Sequence, residues 1–149
     1  MAYILAVETA TKNCSVALAK DGVTILCKEI AEEGYSHAER LHVFIEELLN
    51  ELEVSSKDIA AIAVSQGPGS YTGLRIGVSA AKGLCFALDI PLIAIDTLSL
   101  LASQVVINEG YIVPMIDARR MEVYSVVFNS KHEEIRGVRA EILTSESFS

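Results

Sequence analysis

Tryptophan is absent from the 149 residues, and no apolar stretch approaches the roughly 20 residues that a membrane-spanning helix needs. The internal apolar runs 59–64 and 90–95 are six residues each and the opening run 1–7 is seven, which is strand length and excludes a helical span. Cysteine is scarce: Cys14, Cys27 and Cys85 are odd in number, sit in apolar stretches and form no Cys-x-x-Cys pair. They read as free, buried thiols of a reducing cytoplasmic compartment. Positive charge is also short, with 12 Lys and Arg against 20 Asp and Glu, a net charge of −8. Proteins that grip phosphate backbones present clustered Lys and Arg, so any role with nucleic acid is expected to be indirect. Residues 1–7 are apolar but lack a basic start and meet Glu8 at once, so a strand is expected rather than a secretory signal.

What the chain has in quantity is apolar residues, 51% of the total. That is enough for a sizeable core and more apolar surface than a monomer needs. Residues 3–8, 14–19 and 23–30 are strand-like, and Asp21-Gly22 between the last two signals a hairpin. Ser36 with Glu39 forms a capping-box pattern. The helix it opens carries Ala38, Leu41, Phe44, Ile45, Leu48, Leu49 and Leu52 at spacings of three and four, with Val43 off that stripe. A second helix, 72–88, lies between apolar strands 61–65 and 92–95, a βαβ unit. A third helix is expected over 98–107, capped by Thr97.

Three strands, helix, strand, helix, strand, helix is the order of a ribonuclease-H-like α/β lobe: a mixed sheet opened by an antiparallel meander, with helices on its faces. This lobe is expected over residues 1–108. From 109 the pattern restarts with strands at 111–116 and 121–128, followed by a polar stretch, as the start of an incomplete second lobe over 109–149.

The segment richest in chemistry joins a buried strand to the second helix: Gln66-Gly67-Pro68-Gly69-Ser70-Tyr71-Thr72-Gly73-Leu74-Arg75-Ile76-Gly77. Glycines permit positive φ and close backbone approach, and Ser70 or Thr72 can cap the helix. Gly67, Gly69, Ser70, Thr72 and Gly73 are candidates for an anion or nucleotide loop, because such a turn offers amide N–H groups. The segment lacks the Lys-Ser/Thr ending of a P-loop, and its glycine spacing is one residue longer than the dinucleotide fingerprint. A tight structural turn fits the spacing at least as well.

That segment, together with Ile4-Leu5-Ala6-Val7-Glu8-Thr9-Ala10-Thr11, Cys14-Ser15-Val16-Ala17-Leu18, Ser36-His37-Ala38-Glu39-Arg40-Leu41 and Asp117-Ala118-Arg119-Arg120 with Glu122-Val123-Tyr124, resembles the TsaB (YeaZ) family, once labelled glycoprotease-like. The resemblance covers essentially the whole chain, although family members are longer. It implies the actin-like ATPase and sugar-kinase superfamily. Active members carry Asp and Gly in the first hairpin, where this chain has Glu8-Thr9-Ala10-Thr11; losing the glycine blocks close phosphate approach. The resemblance therefore implies a non-catalytic subunit without a tightly held cofactor, with weak nucleotide binding left open.

The family's catalytic relative TsaD carries a His-x-x-x-His metal motif. His37 and His42 are five apart, and at about 100° per residue they point roughly 140° from each other, so they form no joint metal site. His132 lies in a polar region with no evident partner. Glu8, Asp96 and Asp117 stand near strand ends, where a metal cluster is one reading. Capping by Asp96-Thr97 and a local ion pair at Asp117-Ala118-Arg119-Arg120 explain them better. No catalytic or metal-ligating set is assigned, and nothing supports peptide hydrolysis.

On the second helix, Arg75, Ser79 and Lys82 form one polar stripe, while residues such as Leu74, Val78 and Phe86 exceed what one sheet can bury. A partner interface is expected from the two helices, comprising Leu41, Val43, Phe44, Ile45, Leu48, Arg75, Ile76, Ser79 and Lys82. The resemblance implies that this face forms a homodimer and binds TsaD, which transfers threonylcarbamoyl to the tRNA adenosine beside the anticodon. TsaE would join the assembly, and TsaC would supply the activated threonylcarbamoyl group. An ATPase or kinase using the 67–73 loop is the alternative.

Overall fold

The computed structural model describes residues 2–31 and 37–148. Its first sheet has five strands: β1 (Tyr3–Glu8), β2 (Cys14–Lys20), β3 (Val23–Ile30), β4 (Ile59–Gly67) and β5 (Leu92–Asp96), in the order β3-β2-β1-β4-β5. The meander β1-β2-β3 is antiparallel, and β4 joins β1 in parallel with Val7 opposite Val64. Asp21 (φ 50) and Gly22 (φ 86) both take the left-handed conformations that a two-residue hairpin turn requires, as the Asp-Gly signal predicts.

Two long helices accompany this sheet, α1 (His37–Glu51) and α2 (Tyr71–Leu88). The expected Ser36 cap lies outside the described residues. Leu41, Phe44, Ile45 and Leu48 point from α1 into a core shared with Leu5, Val16, Leu18 and Ile62. Those four residues are thus fully committed within their own unit, correcting their expected place on a partner face. Helix stripes with this periodicity are drawn first to the nearest sheet, because that burial requires no second molecule. Ile76, Val78 and Leu84 of α2 pack against the same core, which accounts for most of the apolar surplus expected there.

The chain divides into two compact units, Met1–Gln66 with Ser70–Ile95, and Gly67–Gly69 with Asp96–Ser149. The second contains α3 (Thr97–Ala102), β6 (Tyr111–Ile112), β7 (Met115–Arg119), β8 (Glu122–Asn129) and β9 (Glu134–Ile142). Strand β8 pairs antiparallel with all three others. The division falls at Asp96, earlier than the expected lobe boundary at 108, because Leu98 and Ala102 pack with Ile112, Val126 and Phe128. Helix α3 is also shorter than expected. Asp96, not Thr97, caps it, its Oδ1 accepting the Ser99 amide at 2.8 Å.

The single strand expected over 111–116 is split into β6 and β7 around Pro114, which has no N–H to give the ladder. Strand β9 was not expected. Between β7 and β8, Arg119 (φ 70), Arg120 (φ 55) and Met121 (φ 63) are left-handed in succession. Asp117 does not form the expected ion pair there; its Oδ1 accepts the Arg119 amide at 2.7 Å. Among the described residues, no helix is long and apolar enough to cross a membrane.

Candidate functional site

The start of α2 is built against the turn that follows β1. Glu8, at the strand end, accepts the Ala10 amide at 2.6 Å and the Ser65 hydroxyl from β4. Thr9 is buried and its hydroxyl donates to the Gly73 carbonyl at 2.7 Å. The Ala10 carbonyl accepts the Ser70 amide at 2.7 Å. His37 contacts the Thr11 carbonyl through Nε2 at 2.6 Å; a carbonyl can only accept, so Nε2 carries the hydrogen.

These bonds bear directly on the expected anion loop. Ser70, of the two candidates, is the cap: its hydroxyl accepts the Gly73 amide at 3.2 Å, and its carbonyl accepts the Leu74 amide at 2.8 Å. The amides of Ser70, Gly73 and Leu74 are therefore engaged by the chain itself rather than turned toward a ligand. Gly67 and Gly69 belong to the second compact unit, while Ser70, Thr72 and Gly73 belong to the first. Gly67 has φ 116, a conformation that explains glycine there without reference to an anion.

Outward from the sheet, α2 presents a stripe along its whole length. Arg75, Ser79 and Lys82 are exposed as expected, and the same spacing continues to Tyr71 and Phe86, 76% and 92% exposed. The sequence marks Phe86 as part of the apolar surplus of this helix but not as part of the polar stripe, and it gives no sign of Tyr71 there until one counts by four from Lys82 and Arg75. The Arg75 guanidinium lies 5.5 Å from the Tyr71 ring centre. Thr72, Arg75, Ile76 and Ser79 line an open groove of about 330 Å³. On α1, Val43 is 40% exposed, as its place off the stripe requires.

The remaining candidates have local roles. His132 donates through Nε2 toward the carbonyls of Ala102 (3.1 Å) and Val105 (3.0 Å), closing the end of α3. Among the described residues, no three metal-ligating side chains come together. All three cysteines are free; Cys14 and Cys85 are buried, whereas Cys27 is exposed, correcting its expected burial. Burial pushes all three thiols up, helped at Cys27 by the Glu29 charge, so none is an activated nucleophile.

The strand order of the first sheet and its helices define a ribonuclease-H-like lobe of the actin-like ATPase superfamily. A family model described as TsaD, tRNA N6-adenosine threonylcarbamoyltransferase, matches residues 28–148. The tRNA threonylcarbamoyladenosine biosynthesis protein TsaB of Bacillus subtilis is 37% identical over 129 residues, 87% of this chain and 56% of that protein. Its Escherichia coli counterpart is 38% identical over 123 residues, covering 81% and 52%. The solved structure of YeaZ from Pseudomonas aeruginosa superposes with a TM-score of 0.82 at 33% identity, over 100% of this chain and 70% of that one. This chain belongs to the TsaB (YeaZ) family. It spans about half the length of the curated relatives it matches.

Proposed function

We propose that the chain acts as a non-catalytic subunit that docks onto the threonylcarbamoyltransferase TsaD and supports threonylcarbamoyl transfer to the tRNA adenosine beside the anticodon. One observation carries the reading: the α2 stripe of Tyr71, Arg75, Ser79, Lys82 and Phe86 stays in solvent while Gly73, Gly77, Ala81 and Cys85 of the same helix are buried. A phenyl ring left 92% exposed forgoes about 2 kcal/mol that burial would supply. Aromatic and arginine side chains together are the composition of interface hot spots. In a chain of net charge −8, Arg75 and Lys82 select an acidic partner surface.

Membership in a family named for threonylcarbamoyladenosine biosynthesis, and the match to the transferase's family model, support TsaD as that partner. A second copy of this chain would compete for the same stripe, and TsaE and TsaC would act in the same pathway. Contact with tRNA would pass through TsaD, consistent with the acid excess. The occupied amides at Ser70, Gly73 and Leu74 favour docking over nucleotide hydrolysis.

Co-purification with TsaD tests this. Arg75→Glu combined with Phe86→Glu, both side chains lying in solvent, is expected to weaken association at least ten-fold while the chain stays folded. Unchanged association would overturn the reading.

A further inference from the structure

Two close backbone approaches lie directly behind the docking stripe. Gly73 and Gly77 stand one helical turn apart on the buried face of α2, opposite Arg75 and Ser79. A Cβ placed on Gly73 would lie 2.1 Å from the Thr9 carbonyl oxygen, and one on Gly77 would lie 2.2 Å from Thr9 Oγ1. No side chain fits between them, so Thr9 is pressed onto the bare helix backbone. Its hydroxyl, on a residue 1% exposed, then donates to the Gly73 carbonyl at 2.7 Å.

The neighbours of Thr9 extend the same attachment. Glu8 holds Ser65 at the end of β4, the Ala10 carbonyl holds the Ser70 amide, and the Thr11 carbonyl holds His37 at the start of α1. One four-residue turn thus ties the first turns of both long helices to the sheet. The side chains of Ile76, Val78, Ala81 and Leu84 meet the core through apolar contacts, which can slide, and at the far end of the helix Cys85 Sγ donates to the Pro91 carbonyl at 3.5 Å; at the helix start the bond at 2.7 Å fixes the position.

We infer that Thr9 is a positioning residue for partner docking: its hydroxyl on the Gly73 carbonyl sets where α2 sits, and so sets how well the exposed stripe fits its partner. The inference rests on the docking function proposed above. The chemistry at this point is unforgiving. Valine has the shape of threonine, but a methyl carbon approaches a carbonyl oxygen no closer than about 3.3 Å, so the helix start must retreat by roughly half an ångström. Serine keeps the donor and drops only the methyl.

The test titrates TsaD into the wild-type chain and into Thr9→Ser and Thr9→Val, well below each melting midpoint. Far-UV circular dichroism verifies that each chain is folded. Thr9→Ser is expected to bind within about two-fold of wild type, and Thr9→Val roughly ten-fold more weakly. A residue serving stability alone would lower the melting midpoint and leave the affinity of the folded chain unchanged, which would overturn the inference. Equal losses for Thr9→Ser and Thr9→Val would overturn it too, since the hydroxyl would not be the cause. Should Thr9→Val fail to fold, Thr9→Ala removes the hydroxyl without adding a contact and reads the same affinity. A wild-type chain that does not bind TsaD overturns the docking function and this inference together, whereas wild-type binding that Thr9→Val leaves intact overturns this inference alone.

Discussion

The two compact units solve the same packing problem with different means. The first closes its sheet and long helices over Leu5, Leu18, Leu41, Leu48 and Ile62, all wholly buried. The second covers its four-stranded sheet with the six-residue α3, burying Leu98, Val126 and a few neighbours. It leaves Ile135, Ile142 and Met121 more than half exposed. Polar groups are also used differently. In the first unit they fasten helix starts to the sheet; in the second, Ser125, Arg136 and Glu141 bond one another across two adjacent strands. Stability thus concentrates in the first unit, and with it the rigidity that a docking face needs.

Core truncation gives the largest test of this contrast. Leu48→Ala is expected to lower unfolding free energy by about 2–5 kcal/mol, and Val126→Ala by about 2 kcal/mol or less, measured by urea denaturation. Equal losses would break the comparison. A sharper version sits within one helix. Gly77→Ala drives a methyl into Thr9 and should cost about 1–3 kcal/mol, whereas the site at Gly83 has nothing within 4 Å. Gly83→Ala should therefore stabilise by about 0.5–1 kcal/mol. Opposite signs for two glycines six residues apart would locate the strain at the turn rather than in the helix.

The smallest effect concerns ion pairs. Lys28 of β3 reaches Glu51 at 2.8 Å and Glu47 at 3.8 Å on α1. The hydrogen bond to Glu51, with the charges of both glutamates, holds the ammonium above the ordinary lysine range. A raised folded-state value means that the contribution is complete below the unfolded lysine pKa and fades as pH climbs through the folded one. Lys28→Met should therefore lower the thermal midpoint slightly at pH 8, and the difference should fade as the pH climbs beyond the ordinary lysine range.

Much of the first unit was legible because its segments follow simple periods. Strands β1 to β5 are apolar or alternating, and Leu41, Phe44, Ile45 and Leu48 repeat at helical spacing. The same periodicity misled about function: it marks a buried face without saying whether the sheet or another molecule buries it. Leu74, Val78 and Phe86 read alike as apolar surplus of α2, and the structure separates them: Val78 packs against the core, whereas Phe86 stands beside Lys82 on the open side. Strand β9 was hidden by Glu134, Arg136, Arg139 and Glu141, charges that read as a solvated loop until Ser125 pairs Arg136 with Glu141. Asp96 and Thr97 were both reasonable caps; a hydrogen bond at 2.8 Å decides for Asp96, and the Thr97 hydroxyl is buried without a partner. Nothing in the spelling of Glu8-Thr9-Ala10-Thr11 announces that each residue grips a different neighbour, since those neighbours come from distant parts of the chain.

The turn of Arg119, Arg120 and Met121 has a practical consequence. Left-handed backbone costs an ordinary L-residue about 1–2 kcal/mol, and among the described residues only this bend has three in a row. Directed evolution for thermal robustness should therefore converge here early, on asparagine or glycine, and leave the aromatic-and-arginine stripe untouched.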